Sequence, residues 1–419
     1  MSPADPIVSR SIRLAILLCI SGTAHAATVA HLRVQQFSSA AKAVRLSNVE
    51  GVPAWQGIEA SATAGGIENA GPNSSSRQLH LLPGLLDARE VDKVLTAARA
   101  NERGFDLTHD TVDKEATYLC RVVDDGEVVD AAVGAALSPF LYERLLPYVR
   151  QKFGCATACV QNVLIRRYLP EERRRLEAHF DVSSFATAIV PLSPPADYAG
   201  GLYVQHVPGV TSRHYLALDA GDCLVHQFDT MHGVHVPRGS RFSLVVWFTD
   251  SEEALHSGKA PWVERAAAAG NAEAQFVLAG FIYRGEFGYA ADTPTAVRWL
   301  AKAARAGNAL AMLHVGSMLA SGEVPEDALP ELRADHGVDA LASPLQLAAV
   351  LYRAAAEQGH PTAEYAYGAA LLKGEGVAKD VGRGRHWLTK AASQGEEEVM
   401  AAGWAMDELR AYDASLVAM

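Results

Sequence analysis

A chain of 419 residues is too long for one ordinary core, since domains average about 150 residues, and its 49% hydrophobic and 20% charged composition is that of a globular rather than a disordered protein. The formal net charge of −11 opposes a phosphate backbone, so nucleic acid is excluded as the partner that overall charge would select. After residue 26 no apolar run reaches the roughly 20 residues that cross a bilayer. At the start of the chain, Arg10 and Arg13 precede the apolar stretch Leu14 to Ile20, then Ala24-His25-Ala26 and Ala27. That layout predicts a secretory signal peptide over 1–26, with a transit peptide or a buried N-terminal segment as the alternative. Export would place the protein in the endoplasmic reticulum lumen or outside the cell, or in the periplasm of a bacterium. Four cysteines then remain, Cys120, Cys155, Cys159 and Cys223. An oxidising compartment can pair them, with Cys155 and Cys159 the nearest candidates, while the lack of a second pair at zinc-finger spacing makes them a weak metal site.

Residues 27–78 run into Gly71-Pro72-Asn73-Ser74-Ser75-Ser76 and read as an N-terminal segment and linker. From Leu81 onward, Pro83, Asp87 and Glu90 precede the helical spacing Val91, Val94, Leu95, Ala98, and Leu137 to Val149 repeats it. The period then changes. Asn162 to Tyr168, Phe185 to Leu192, Gly201 to Val207, Cys223 to Phe228 and Phe242 to Phe248 are short, rich in β-branched and aromatic residues, and separated by Gly, Pro and Asp. Many short strands predict a jelly roll or barrel, here a domain over 79–250.

Beyond Pro261 the chain becomes alanine-rich and repeats itself. Gly270, Gly307, Gly359 and Gly395 each start a unit; four residues on come Ala274, Ala311 and Ala363, nine on Ala279, Gly316 and Gly368, fifteen on Gly285, Gly322 and Gly374. Ahead of each following unit stand Trp299, Leu351 or Trp387 and an alanine pair. A period near 36 residues with two helical segments predicts a solenoid of stacked helical hairpins over 263–410. The middle unit is longer by about 16 residues around Pro325 to Pro344, an insertion expected in a loop. These units resemble Sel1-like repeats, relatives of the tetratricopeptide repeat, most clearly in Trp299-Leu300-Ala301-Lys302-Ala303-Ala304 and Trp387-Leu388-Thr389-Lys390-Ala391-Ala392.

The residues suited to chemistry begin at His179-Phe180-Asp181, where strand alternation would send imidazole and carboxylate to one face. A distant histidine would complete a two-histidine, one-carboxylate triad with open positions on iron(II), and His232 in Met231-His232-Gly233-Val234 is the candidate. His226 and His235 compete for that role, and alternation alone would allow His226 to face inward. Nine residues after His232, Arg241 and Ser243 share a face of an apolar strand, and a guanidinium fork with a hydroxyl beside it suits a carboxylate. Arg173 to Arg175 reads as a solvated loop, and Tyr168 as either core or a ligand contact.

Taken together, residues 81–250 resemble the iron(II)- and 2-oxoglutarate-dependent dioxygenases, in their prolyl 4-hydroxylase-like branch. The likeness lies in Tyr168-Leu169-Pro170 leading to His179-Phe180-Asp181, in Gly200-Gly201-Leu202 as a double-glycine turn, and in Gly221-Asp222-Cys223-Leu224-Val225 ahead of His232. The interval from His232 to Arg241 and the strand ending near Trp247 belong to it as well. The resemblance implies a double-stranded β-helix with flanking helices, iron held by His179, Asp181 and His232, and Arg241 on the distal carboxylate of 2-oxoglutarate. Such enzymes often carry a tyrosine near Leu192; this chain has Val190-Pro191, so Ser243 or Tyr168 would substitute. Asp181 argues against the halogenase variant, which has a small residue there. Hydroxylation with O2 would follow, supported by L-ascorbate. A polypeptide substrate, with a prolyl residue as one candidate, fits a solenoid that binds substrate or a protein partner. The competing readings are a non-catalytic jelly-roll adaptor and a small-molecule oxygenase.

Overall fold

Eight strands between Cys159 and Thr249 carry the N-terminal half of the protein. In the computed structural model the described residues are 79–100, 105–110, 112, 115–205, 213–394 and 400–417, with three short strands before them. The signal peptide expected over 1–26 lies outside the described residues. The strands are β1 (His31–Arg33), β2 (Arg45–Leu46), β3 (Glu68–Ala70), β4 (His80–Leu82), β5 (Asp106–His109), β6 (Ala116–Asp124), β7 (Glu127–Val128), β8 (Cys159–Tyr168), β9 (Arg175–His179), β10 (Ala186–Pro191), β11 (Tyr198–Val204), β12 (His214–Ala217), β13 (Cys223–Gln227), β14 (His232–Gly239) and β15 (Arg241–Thr249).

The larger sheet runs β4-β13-β10-β15-β8-β6-β5 with β7 on β6, and the smaller runs β2-β12-β11-β14-β9. All pairings in both are antiparallel. Strands β8, β10, β13 and β15 lie in the first and β9, β11, β12 and β14 in the second, so the chain crosses between two facing sheets. That is a jelly roll. Tyr168, Ile189 and Leu224 from one sheet meet Leu176, Leu202, Val204, Leu216 and Val234 from the other in a buried cluster. The region read as a linker contributes β2, which pairs with β12 at the edge of the smaller sheet.

The helix expected after Leu81 spans Ala88–Ala100 and buries Val91, Val94 and Ala98. The second begins earlier than the spacing suggested, at Ala131, because the Asp130 carboxylate accepts from the backbone N–H groups of Ala132 and Val133 and caps it. Cys155 and Cys159 remain free thiols, contrary to the pairing considered above. Cys155 Sγ donates to the Asp250 carbonyl at 3.3 Å, and Cys159 Sγ lies 3.0 Å from Thr249 Oγ1.

His80 on β4 is buried between the edges of Tyr148 and Phe153. Burial, helped by the Lys152 charge, pushes its pKa down to about 4 from the 6.5 of an exposed imidazole. The unfolded chain therefore takes up a proton below pH 6.5 that the fold refuses. Stability contributed by neutral His80 is full above pH 6.5 and falls, by at most about 1.4 kcal/mol per pH unit, as pH drops toward 4. His80→Phe keeps the ring contacts and should flatten this acid limb in urea midpoints measured at pH 7 and pH 5; an unchanged slope would remove His80 as its source.

A second unit starts at Val263. Helices Ala272–Arg284 and Thr293–Arg305 form one hairpin, Ala309–Ser321 and Pro344–Glu357 the next, Pro361–Lys373 and Val381–Ala392 the third, followed by Met400–Val417. Asn271 and Asn308 cap the first helix of two units, and Gly285, Gly322 and Gly374 end theirs in the left-handed region. The small residue nine positions into each unit permits close helix approach. A Cβ on Gly316 would meet the Tyr352 ring at 2.7 Å, and one on Gly368 would meet Leu388 at 3.0 Å. Trp299 and Trp387 each carry a lysine one turn on, Lys302 at 4.0 Å and Lys390 at 4.9 Å from the ring centre. Lys390 also reaches the fully buried Glu364, at 2.7 Å.

The insertion around Pro325 to Pro344 is more than the loop expected. It contains a 3-10 turn at Glu326–Ala328 and a helix at Leu329–Asp335, because Leu332 finds a core and is buried. Gly395, the start of the last unit, lies outside the described residues.

Candidate metal centre

Strands β9 and β14 are hydrogen-bonded neighbours whose register sets His179 directly opposite His232. Two residues 53 positions apart in sequence thus meet with ring centres 4.6 Å apart. Asp181 reaches them by a different route from the one alternation predicted. Strand β9 ends at His179, and the chain turns, with the Ser184 N–H donating to the Asp181 carbonyl at 2.9 Å. The carboxylate is then held from β10, where Thr187 Oγ1 donates to Asp181 Oδ2 at 2.6 Å. Its two oxygens face the two histidines, Oδ1 at 3.5 Å from His179 Nε2 and Oδ2 at 3.5 Å from His232 Nε2.

The three ligand atoms lie within 4.8 Å of one another and all three side chains are buried, so the cluster can hold a metal ion. Ligands at about 2.1 Å from a common ion sit about 3 Å apart when cis, so each carboxylate–imidazole pair at 3.5 Å would close by about half an ångström. The outer face of each imidazole is set as well. His179 Nδ1 lies 2.8 Å from the Glu177 carbonyl and His232 Nδ1 3.2 Å from that of Thr230. A carbonyl only accepts, so each Nδ1 carries the proton and each Nε2 turns its lone pair to the centre. Sequence offered no candidate for these outer partners, because main-chain carbonyls leave no trace in residue type.

Burial alone would raise the Asp181 pKa, but the imidazoles of His232 and His179 hold it well below the carboxylate range. Burial, then the neighbouring His226, pushes His232 down to about 3. An ionised carboxylate beside a neutral imidazole is the protonation state that metal binding requires.

Arg241 lies beyond the triad on β15. Its cross-strand partner on β8 is Tyr168, and that of Ser243 is Arg166, so the four side chains share the inward face. Arg241 is 0% exposed. Its Nη1 donates to Ser243 Oγ at 3.0 Å, its guanidinium lies 5.8 Å from the centre of the Tyr198 ring, and Nε and Nη2 have no hydrogen-bond partner among the described residues. A buried guanidinium without an anion costs several kcal/mol. The double glycine, expected as a turn, is instead a bulge within β11, paired to β14. A Cβ on Gly200 would strike the His235 carbonyl at 2.2 Å; one on Gly201 would meet Tyr198 at 3.0 Å and approach Arg241 Nε to 3.8 Å. Glycine at 201 thus keeps a side chain from crowding Tyr198 and the Nε side of the guanidinium.

One other expectation needs correction, and two open readings are decided. Arg173 to Arg175 is no solvated loop: the Arg173 side chain is 3% exposed and shares Asp110 Oδ2 with Arg166, at 3.3 and 2.8 Å, while Arg174 donates to the carbonyls of Pro170 and Pro237. Tyr168 is buried in the inter-sheet cluster and hydrogen-bonded to Arg166. His235 is turned to the Tyr215 hydroxyl at 3.0 Å, outside the triad. Thr187, Tyr198 and the Arg166–Asp110–Arg173 cluster were missed from sequence, and only the strand register would have revealed the first two.

The Sel1 repeat family matches residues 272–308, 337–360 and 361–396. Those three segments of the C-terminal helical region are Sel1 repeats. The matched Sel1 segments omit 309–336, where the first helix of the middle hairpin and the inserted helix lie. Among solved structures, a Sel1 repeat protein from Oxalobacter formigenes is 32% identical, with a TM-score of 0.28 over 35% of this chain and 96% of that one. A 2OG-Fe(II) oxygenase family oxidoreductase from Burkholderia pseudomallei is 20% identical, with a TM-score of 0.35 over 41% and 85%. A Pseudomonas putida prolyl-4-hydroxylase is 17% identical, with a TM-score of 0.32 over 41% and 91%. The curated proteins give no match. The order of strands β8 to β15 stands independently of these likenesses.

Proposed function

We propose that the protein is an iron(II)- and 2-oxoglutarate-dependent dioxygenase that hydroxylates a polypeptide, with a prolyl residue as the first candidate target. The observation that carries this reading is Arg241, fully buried, with two guanidinium nitrogens unpaired among the described residues, on the strand that follows a buried His-Asp-His cluster. Two imidazoles and one carboxylate suit iron(II) and leave positions open for a chelating cosubstrate. A guanidinium fork suits the far carboxylate of a dicarboxylate.

In this reading His179 Nε2, His232 Nε2 and the Asp181 carboxylate hold the metal, and Arg241 with Ser243 holds 2-oxoglutarate, Tyr168 lining the same face. When bound, the pair supplies oxidative decarboxylation to succinate and carbon dioxide coupled to insertion of one oxygen atom of O2 into a C–H bond; ascorbate keeps the iron reduced. The chain's own part is positional. Thr187 orients Asp181, the Glu177 and Thr230 carbonyls orient the imidazoles, and the apolar residues between the sheets keep water away. The Sel1 hairpins, which form the kind of extended surface that holds peptides, recruit the substrate or a protein partner. Secretion or a periplasmic location belongs to the same proposal. No helix among the described residues is long and apolar enough to cross a membrane.

The test is an anaerobic iron(II) titration of the full chain, followed by O2-dependent succinate release from 2-oxoglutarate, in wild type and His179→Ala. Iron-dependent release lost in the variant is the expected result. A folded wild type that binds no iron would leave the adaptor reading in its place. Product on free amino acids and none on peptides would replace the polypeptide substrate with a small molecule.

A further inference from the structure

His226, on β13, belongs to no role assigned above, yet it is surrounded by the metal centre. It is 0% exposed, its ring centre lies 4.4 Å from that of His232, and the register with β10 sets it opposite Thr187, which holds Asp181. Its Nδ1 lies 3.0 Å from the Gln227 carbonyl, which can only accept, so Nδ1 carries the proton and Nε2 presents a lone pair. Nε2 has no hydrogen-bond partner among the described residues. An unmet buried acceptor costs about 1–3 kcal/mol, so an imidazole kept in this tautomer calls for a donor that the described residues do not supply. The metal ligands cannot be that donor, since His179 and His232 have their protons on Nδ1, turned away.

A triad on a six-coordinate ion leaves three positions, of which a chelating 2-oxoglutarate takes two. We propose that His226 Nε2 accepts a hydrogen bond from a water held at the remaining position, making His226 a positioning residue that keeps that position filled until substrate arrives. This rests on the metal reading above. Losing the acceptor should loosen the water and raise 2-oxoglutarate consumption in the absence of substrate.

Cobalt(II) provides a readout that needs no turnover, because six-coordinate cobalt(II) absorbs weakly in the visible and five-coordinate cobalt(II) several-fold more strongly. The experiment loads full-length wild type, His226→Phe and His226→Gln with cobalt(II) and 2-oxoglutarate under anaerobic conditions, with circular dichroism to check folding. Weak bands are expected in wild type and in the glutamine variant, whose amide oxygen still accepts; several-fold stronger bands are expected in His226→Phe at cobalt affinity within about threefold of wild type. Strong five-coordinate bands in wild type would overturn the proposal without any variant, since no water would then be held. Identical spectra for wild type and folded His226→Phe would also overturn it, as would loss of cobalt from that variant, which would make His226 a ligand. Failure of wild type to bind cobalt(II) at all would overturn the metal reading itself.

Discussion

Replacing Arg241 by Gln is expected to weaken 2-oxoglutarate binding by about 30- to 3,000-fold while leaving iron(II) affinity within about threefold. The range follows from the cost of truncating one side of a buried charge pair, about 2–5 kcal/mol, at 1.4 kcal/mol per factor of ten. Arg241 has only Ser243 and the Tyr198 ring as described neighbours of its charge, so the cosubstrate would be its principal counterion. A second consequence separates this role from a structural one. In the protein without ligands the guanidinium is a buried charge with no anion among the described residues, and its removal should leave Tm unchanged or raise it. A structural arginine would behave in the opposite way, with Tm falling and 2-oxoglutarate affinity unaffected. Isothermal titration with iron(II) and then with 2-oxoglutarate, alongside thermal unfolding, decides between them. Arg241→Lys keeps the charge but loses the fork, and should fall between wild type and Arg241→Gln.

Asp181→Ala is expected to cost more iron(II) affinity than Thr187→Val, and the two together test how the centre is built. Asp181 supplies a ligand atom, whereas Thr187 supplies none and holds Asp181 through the 2.6 Å hydrogen bond to Oδ2, its hydroxyl also lying 3.1 Å from Ser184 Oγ. Loss of an outer partner typically costs about 10- to 100-fold in metal affinity, so Thr187→Val should fall in that window and Asp181→Ala beyond it. Anaerobic iron(II) titration measures both. Equal affinities for wild type and folded Asp181→Ala would remove Asp181 from the metal site and with it the triad.

Much of the site was legible because the residue types are chemically specific. His179, Asp181, His232 and Arg241 were named from spacing and resemblance, and the first three meet in one buried cluster. The reason offered for Asp181 was nonetheless wrong. Strand alternation does not carry it beside His179, because β9 stops there, and Thr187 from another strand brings the carboxylate back. Strands β12 and β14 went unread as well: histidines and, in β14, glycine and proline break their apolar run, and neighbours far away in the chain stabilise them, so local periodicity carries little of their signal. In the C-terminal unit the opposite holds. Each hairpin is closed by residues within a single unit, and the glycine and alanine register therefore reads directly as helix ends and close helix contacts.

By itself, the sequence determined the division into a strand-rich part and a helical-repeat part, the repeat register, and the side chains able to hold a metal and a dicarboxylate. These depend on residue type and near-neighbour spacing. Only the tertiary structure decided that His179 faces His232 across a strand pair, that Nε and Nη2 of Arg241 are buried without partners among the described residues, that Arg173 is locked to Asp110, and that the lone pair of His226 finds no donor among those residues. Each of those depends on strand register and on exclusion of water, which arise when distant segments pack together and cannot be read from any one of them alone.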